Sequence, residues 1–383
     1  MKNTNYLIHL FFPKTVLLTG QEVASRLILE SLSNKWAFKP HHIPSVNRSE
    51  KNKLCFFIKY AFRILCLWAS IIPLVFRNYI AIYLNLGQSW NSILRDGIPF
   101  ILLKLFRKNI PIVISLHGHW FAEWPKRGRK MRAFLKTLSV AKYVIVLSES
   151  QKQLLIQYGL KKEAIRVIPN TCNFKPISND LLNAKHLSPN RLKILFFSNL
   201  ISSKGYKEFL GAIQILKYSD FPLPVQAILC GNVMEAGFSK ETIDPSQDIE
   251  NIISEINNNG QIKIQWLKGA YGLEKIQLFK EAHIFIFPSR IEAQPIVLIE
   301  AMASGCTIIS SKAGLIPSML SKETAMLMND LNSETIANLT ADLINDQNKR
   351  ISLSSAALKR FTDSFSISKY QQNWHNLFLE LSN

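Results

Sequence analysis

Short apolar runs of strand type alternate with helix-length segments along almost the whole chain, and the alternation occurs twice with a polar break between. The first series covers residues 6–12, 21–32, 79–86, 93–106, 111–116, 129–138, 143–147 and 151–158, and closes with 166–168. Residues 176–190 then turn polar, with Ser178, Asn179, Asp180 and the pair Pro189-Asn190, which predicts a linker. The second series covers 192–197, 206–217, 225–230, 246–258, 262–267, 273–281, 284–287, 295–303 and 307–310. Alternation of this kind predicts an α/β fold of two doubly wound units, each a parallel sheet with helices on both faces. The 383 residues suffice for two cores, and the expected domains are 1–180 and 190–365, with a helix over 366–383 packing back on the first. Ligands in such sheets sit beyond the carboxyl ends of the strands, so the loops that follow strands are where chemistry is sought.

Charge separates the two series. Residues 1–200 hold 30 Lys+Arg against 8 Asp+Glu, whereas residues 201–383 hold 16 against 19. One basic half joined to a near-neutral half points to an extended anionic partner for a single domain: acidic lipid, a pyrophosphate-linked substrate or nucleic acid. The five cysteines, Cys55, Cys66, Cys172, Cys230 and Cys306, include no C-x-x-C pair, which argues against a disulfide framework or zinc site and fits a reducing compartment. The apolar run 7–12 is too short for a secretory signal. The uncharged stretch 64–76, between Arg63 and Arg77, falls below the ~20 residues that cross a bilayer, so no membrane span is expected.

Several fingerprints are missing from the sequence: G-x-G-x-x-G, the P-loop, G-x-S-x-G and H-E-x-x-H. There is also no Asp-x-Asp pair to hold a divalent ion on a diphosphate, so neither a metal site nor a cofactor is expected. The densest remaining signal runs from Phe287 to Gly305. A strand ends at Pro288, a loop carries Glu292, and Pro295 is suited to the first position of a helix whose unpaired N–H groups, from about residues 294 to 297, form a potential phosphate cradle. Glu300 lies more than a turn inside, where a carboxylate can accept two hydrogen bonds from a ribose diol. Periodicity alone reads the same segment as a core helix with one solvent-facing glutamate.

The E-x7-E spacing of Glu292 and Glu300, followed by Ala-Met-Ala-Ser-Gly and a strand ending at Ser310, resembles the nucleotide-sugar segment of family 4 glycosyltransferases. Residues 195–205, Leu-Phe-Phe-Ser-Asn-Leu-Ile-Ser-Ser-Lys-Gly, resemble that family's first strand and loop of the C-terminal domain. The resemblance implies a GT-B fold: two Rossmann-like domains facing across a cleft, donor in the C-terminal one and acceptor mainly in the N-terminal one. It implies that Lys204 contacts the donor diphosphate, where a fixed cation stabilises the departing charge. Many members carry Arg where this chain has Asn199, so either Asn199 donates a neutral hydrogen bond there or Arg290 substitutes.

By the same resemblance Glu292 lies near the donor sugar and Glu300 binds the ribose. Ala293, Gln294 and Ile296 offer backbone amides, whereas Pro295 has none. Gly231 permits a close backbone approach to the nucleotide, and residues 266–269, Trp-Leu-Lys-Gly, resemble the stretch beside the base. In the first half His117, in Leu-His-Gly-His-Trp, matches a histidine near the reacting sugar, with His119 as the alternative. Gly20 sits in the first strand-to-helix loop, a place of approach for acceptor or phosphate.

Lys126, Arg127, Arg129, Lys130, Arg132 and Lys136 crowd behind Trp120, Phe121 and Trp124, a composition suited to anionic lipid at a membrane interface. Residues 56–76, with Lys59, Arg63 and Trp68, read first as a core helix and second as a further shallow contact. The resulting expectation is a cytoplasmic glycosyltransferase, peripherally bound to the inner face of the membrane. It would move a sugar from a nucleotide-diphosphate donor to a lipid-linked or surface-polysaccharide acceptor with retention, through an oxocarbenium-like transition state and without a metal. The alternatives are a nucleotide-sugar epimerase or soluble disaccharide synthase of the same fold, and a basic nucleic-acid-binding protein. No nucleic-acid motif is present to support the last, and nucleic acid is not an expected partner.

Overall fold

The computed structural model describes residues 7–13, 20–43, 53–76, 79–187, 189–234 and 245–382. The chain divides into two compact units, Met1–Thr171 with Ile367–Asn383, and Cys172–Ser366.

In the first unit the order is β1 (Leu7–Pro13), α1 (Gly20–Leu32), β2 (Ala37–Ile43), α2 (Lys53–Ile71), β3 (Ala81–Asn85), α3 (Trp90–Phe106), β4 (Ile112–Ser115), α4 (Arg129–Leu138), β5 (Tyr143–Val146), α5 (Glu149–Gln157) and β6 (Ile165–Val167). The strands form one parallel sheet in the order β2-β1-β3-β4-β5-β6. Continuous apolar runs such as Ala-Ile-Tyr-Leu in β3 and Ile-Val-Ile in β4 fit strands covered on both faces, and every residue of those two strands is buried. β2 was not foreseen. Its sequence, Ala-Phe-Lys-Pro-His-His-Ile, lacks strand alternation and holds Pro40, which the edge position tolerates because one side of the strand needs no ladder hydrogen bonds.

The second unit holds α6 (Asn179–Leu187), β7 (Leu192–Phe197), α7 (Tyr206–Leu216), β8 (Val225–Cys230), α8 (Ser246–Asn259), β9 (Lys263–Leu267), α9 (Gly272–Glu281), β10 (Ile284–Phe287), α10 (Ile296–Ala303), β11 (Thr307–Ser310), α11 (Ile316–Met319), β12 (Met326–Leu327), α12 (Ser333–Asn345) and α13 (Gln347–Ser364). Its sheet is parallel, in the order β12-β11-β10-β7-β8-β9. The predicted linker 176–190 is corrected by α6, which is built into this unit. Leu182 and His186 are buried, and the His186 ring donates from Nε2 to the Gly305 carbonyl at 2.9 Å. The boundary between units falls earlier, at Thr171 and Cys172.

The last helix, α14 (Ile367–Ser382), belongs to the first unit. Tyr370 Oη donates to the Ala24 carbonyl at 3.2 Å, and Trp374 and Phe378 are buried in one cluster with Ile8, Leu10 and Ile28. With the units drawn this way, all of the net charge sits on the first. It carries 27 Lys+Arg against 8 Asp+Glu, and the second carries 19 of each.

Candidate active site

The order of the second sheet places its reversal between β7 and β10, because β8 and β9 continue on one side of β7 and β11 and β12 on the other side of β10. A crevice opens at such a point, beyond the carboxyl ends of the two strands. The loops that leave these strands are stitched together: the Arg290 amide donates to the Ser203 carbonyl at 2.8 Å, and Ser289 Oγ donates to the same oxygen at 3.3 Å. At their meeting Lys204 Nζ donates to Glu292 Oε1 at 2.5 Å. Two glycines permit the approach. Gly205 follows Lys204 at φ 78°, a left-handed conformation, and a Cβ there would strike the Pro288 carbonyl. Gly314, at φ 56°, lies against the Glu292 carbonyl with no room for a side chain.

Helix α10 starts at Ile296 with Pro295 as its N-cap. No side chain caps it; the Leu298 amide turns back to the Pro295 carbonyl at 3.2 Å, and the amides of Ile296 and Val297 stand ahead of it at the helix start. Glu300 is buried on this helix, which corrects the solvent-facing reading from periodicity. One carboxylate oxygen receives the Lys275 ammonium of α9 at 2.7 Å, whereas Oε2 is buried with no partner among the described residues. Burial pushes the Glu300 carboxyl above the usual range, and the adjacent Lys275 charge opposes that rise. Lys275 Nζ also lies 4.9 Å from the centre of the Phe197 ring. The sequence offered no sign of Lys275, because a lysine on a polar helix has no motif around it.

The other donor-side candidates separate. Asn199 is exposed at the end of β7. Arg290 is committed elsewhere: its guanidinium pairs with Glu208 at 2.8 Å and donates to the carbonyls of Leu331 and Ser202. That engagement weighs against its substituting for a phosphate-binding arginine. Gly231 donates its amide to the Leu267 carbonyl and accepts from Trp266 Nε1, both at 2.9 Å, which joins the β8 and β9 loops. Gln294 is buried just before α10, and Ile296 is its first residue.

In the first unit His117 follows β4 and is buried. With its proton on Nδ1, the ring donates to Asn170 Oδ1 at 3.2 Å and accepts at Nε2 from Ser115 (3.1 Å) and Tyr83 (3.3 Å). Burial lowers its pKa to about 4, so the imidazole is neutral near pH 7. His119 keeps a buried Nδ1 without a partner among the described residues. The loop carrying both is braced by Gln88 and Gln151, which sequence reasoning missed: Gln151 Nε2 donates to the Gly118 carbonyl at 2.8 Å, and Gln88 Oε1 accepts from the Phe121 amide at 3.2 Å. Gly20 is the first residue of α1, and residues 14–19 of its loop lie outside the described residues.

The basic cluster is in place, with Lys126, Arg127 and Arg129 exposed. Its aromatic companions are largely internal, a correction to their reading as a membrane fringe. Phe121 is fully buried and Trp124 packs edge-on against Phe134 under the Lys130 ammonium, which leaves Trp120 as the exposed ring. The apolar segment 56–76 is corrected too. Much of α2 and the turn after it faces solvent instead of a core.

The family model "Glycosyltransferase Family 4" matches residues 88–174, and "Glycosyl transferases group 1" matches 179–360. The chain belongs to the group 1 glycosyltransferases. The chain is 24% identical over 252 residues to the capsular polysaccharide biosynthesis glycosyltransferase CapM of Staphylococcus aureus, a match covering 62% of each chain. It therefore spans less than two thirds of that relative's length. Two solved structures share its GT-B fold. The Anabaena protein HepE, in complex with UDP and glucose, aligns with TM-score 0.65 at 18% identity over 98% of this chain and 100% of HepE. The sucrose-phosphate synthase from Thermosynechococcus elongatus aligns with TM-score 0.70 at 18% identity over 98% and 99%.

Proposed function

We propose that this glycosyltransferase transfers a sugar from a nucleotide-diphosphate donor to a lipid-linked or surface-polysaccharide acceptor, with retention, at the inner face of the membrane. The observation that carries the donor half is Glu300, buried with one oxygen charge-balanced by Lys275 and the other open. An acceptor atom pair of this kind suits a ribose diol. The diphosphate would then take the Lys204 ammonium from Glu292 and lie toward the first-turn amides of α10.

As the bond from the anomeric carbon to the diphosphate breaks, negative charge collects on the leaving oxygen beside Lys204. The acceptor hydroxyl forms the new bond on the same face, and its proton passes to the departing phosphate oxygen. Glu292, released from Lys204, would accept a hydrogen bond from a donor-sugar hydroxyl. The acceptor half draws on the charge of the first unit and on the capsular assignment of CapM.

The test is a thermal-shift panel of UDP, GDP, ADP and CMP against the wild type and Glu300→Ala. One nucleoside diphosphate should raise the melting temperature of the wild type, with that rise lost in the variant. An equal rise in both proteins, or none in either, would remove the donor-site assignment. Transfer of labelled sugar to a lipid acceptor, and not conversion of the donor alone, separates this reading from an epimerase.

A further inference from the structure

Ile58, Phe62, Leu65, Ile72 and Phe76 are all exposed, Phe76 at 84% of its surface. Their spacing of three, four or seven residues puts them on one stripe of α2 and the turn that continues it. The opposite stripe, Leu67, Ile71 and Leu74, is buried in the cluster that holds Ile93, Phe100 and Leu103 of α3. A surface helix normally turns its polar side outward, whereas this one is apolar on both sides. The far end of α3 extends the exposed area with Leu102, Leu105 and Phe106. Arg107 donates to the carbonyls of Leu74 and Val75 at 3.4 Å, which makes the two helix ends neighbours.

Charge narrows the occupant. Residues 53–110 hold eight Lys+Arg and one acid, Asp96, which is itself buried against Arg95. An exposed apolar ridge with Lys59 and Lys108 exposed beside it, and no exposed carboxylate among the described residues of that stretch, matches the acyl boundary and phosphate layer of an anionic bilayer. A second copy of the chain would bring like charges together around the same ridge.

We infer that α2 and the carboxyl end of α3 seat the first unit on an anionic lipid surface, with α2 lying in the plane of the interface. The inference rests on the membrane reading proposed above and names the face that makes the contact. The 18-residue window Ile58–Val75 has the length and composition of a spanning helix. Crossing would require pulling Leu67, Ile71 and Leu74 out of the core and breaking the hydrogen bond from Trp68 Nε1 to the Arg95 carbonyl at 3.2 Å. The in-plane position keeps both: one stripe stays in protein and the other enters lipid.

With Cys55→Ser in the background, Cys66 gives the test a probe, since it is exposed on α2 whereas Cys172, Cys230 and Cys306 are buried. The full chain, labelled at Cys66 with an environment-sensitive fluorophore, is mixed with phosphatidylcholine vesicles with or without 30% phosphatidylglycerol. The expected result is a blue shift and co-sedimentation with the anionic vesicles only, weakened by salt, and quenching by lipids brominated near the headgroup more than near the chain end. The variant Phe62→Ser/Leu65→Ser/Phe76→Ser should lose vesicle binding at least tenfold while its nucleotide-induced thermal shift is unchanged. That shift reports folding and the donor site independently of the membrane. Wild-type protein that ignores anionic vesicles, a variant that binds as the wild type does, or deepest quenching at the bilayer centre would each overturn the inference. A ridge-dependent dimer without vesicle binding would replace lipid with a second copy.

Discussion

Lys275 and Glu300 form a lopsided pair: the ammonium meets one oxygen of the carboxylate at 2.7 Å and leaves the other buried and without a partner among the described residues. The lysine therefore holds a negative charge in a place that would otherwise neutralise it, while the second oxygen stays open to a ligand. A buried ion pair of this design contributes less to stability than to keeping one group ionised.

Lys275→Met should separate these two effects. Stability should fall by about 3 kcal/mol, the lower end for removing one partner of a buried pair, because Glu300 is left without its counter-charge. Donor affinity should fall at least tenfold at pH 7 and recover as pH rises, since the Glu300 carboxyl, already raised by burial, moves further up. In Lys275→Met/Glu300→Gln, stability should largely return and donor affinity should not. Calorimetric titration with the nucleoside diphosphate at pH 6, 7 and 8.5 measures each arm; an affinity independent of pH in the single variant would contradict the account.

Lys204 and Glu292 make opposite predictions. Lys204→Ala removes the cation proposed to face the leaving group, and kcat should drop about 10²–10³-fold, with a smaller change in donor KM. Glu292→Gln frees the same ammonium, so a free nucleoside diphosphate should bind several-fold more tightly while turnover slows. Steady-state kinetics together with a binding isotherm for the product nucleotide distinguish the two.

Gly314→Ala tests the packing behind Glu292. An added methyl would meet the Glu292 carbonyl and shift the loop, and displacement of about 1 Å can cost ~10²-fold in rate. The nucleotide thermal shift should persist, because Glu300 stands on α10, away from the displaced carbonyl. Gly159→Ala is the control: it also has positive φ, 95°, but an added Cβ there meets nothing within 4 Å. Its activity should be that of the wild type.

Acid should destabilise both units over the same window. His41 and His117 in the first and His186 and His283 in the second are held below their ordinary value, chiefly by burial, His283 to about 3 and the others to about 4. Each is neutral in the folded chain and takes up a proton more readily when unfolded. The stability they support is thus present above about pH 6.5 and lost as pH falls toward 4. Melting curves at half-unit steps from pH 7.5 to 4.5 should show this slope, and His186→Gln should flatten it for the second unit.

The strands that later proved central were legible because they are short, apolar and bounded by turn residues. Residues 225–230 and 284–287 are strands over the bounds expected, and Arg129–Leu138 is the expected helix. α6 was not legible: its stretch of Ser, Asn, Asp and Pro reads locally as a linker, and only the packing of Leu182 and His186 on the second unit makes it a helix. At the site, Lys204, Glu292 and Glu300 stood out through their motifs. Lys275, Gln88 and Gln151 did not, because their roles are set by contacts across 25 or more residues of sequence and by no local pattern. The apolarity of α2 was plain, but a sequence records that a residue is apolar and not which side of a helix finds cover.

The return of α14 to the first unit has a consequence for biosynthesis. During synthesis the ribosome releases the strands of the first unit early, yet Trp374, Leu377 and Phe378, which share a cluster with Ile8, Leu10 and Ile28, emerge only after the whole second unit has been translated. Until then an apolar slot on the nascent first unit waits open. The half of the molecule that begins to fold first is completed last, and a nascent chain stalled before Ile367 would present that slot to chaperones.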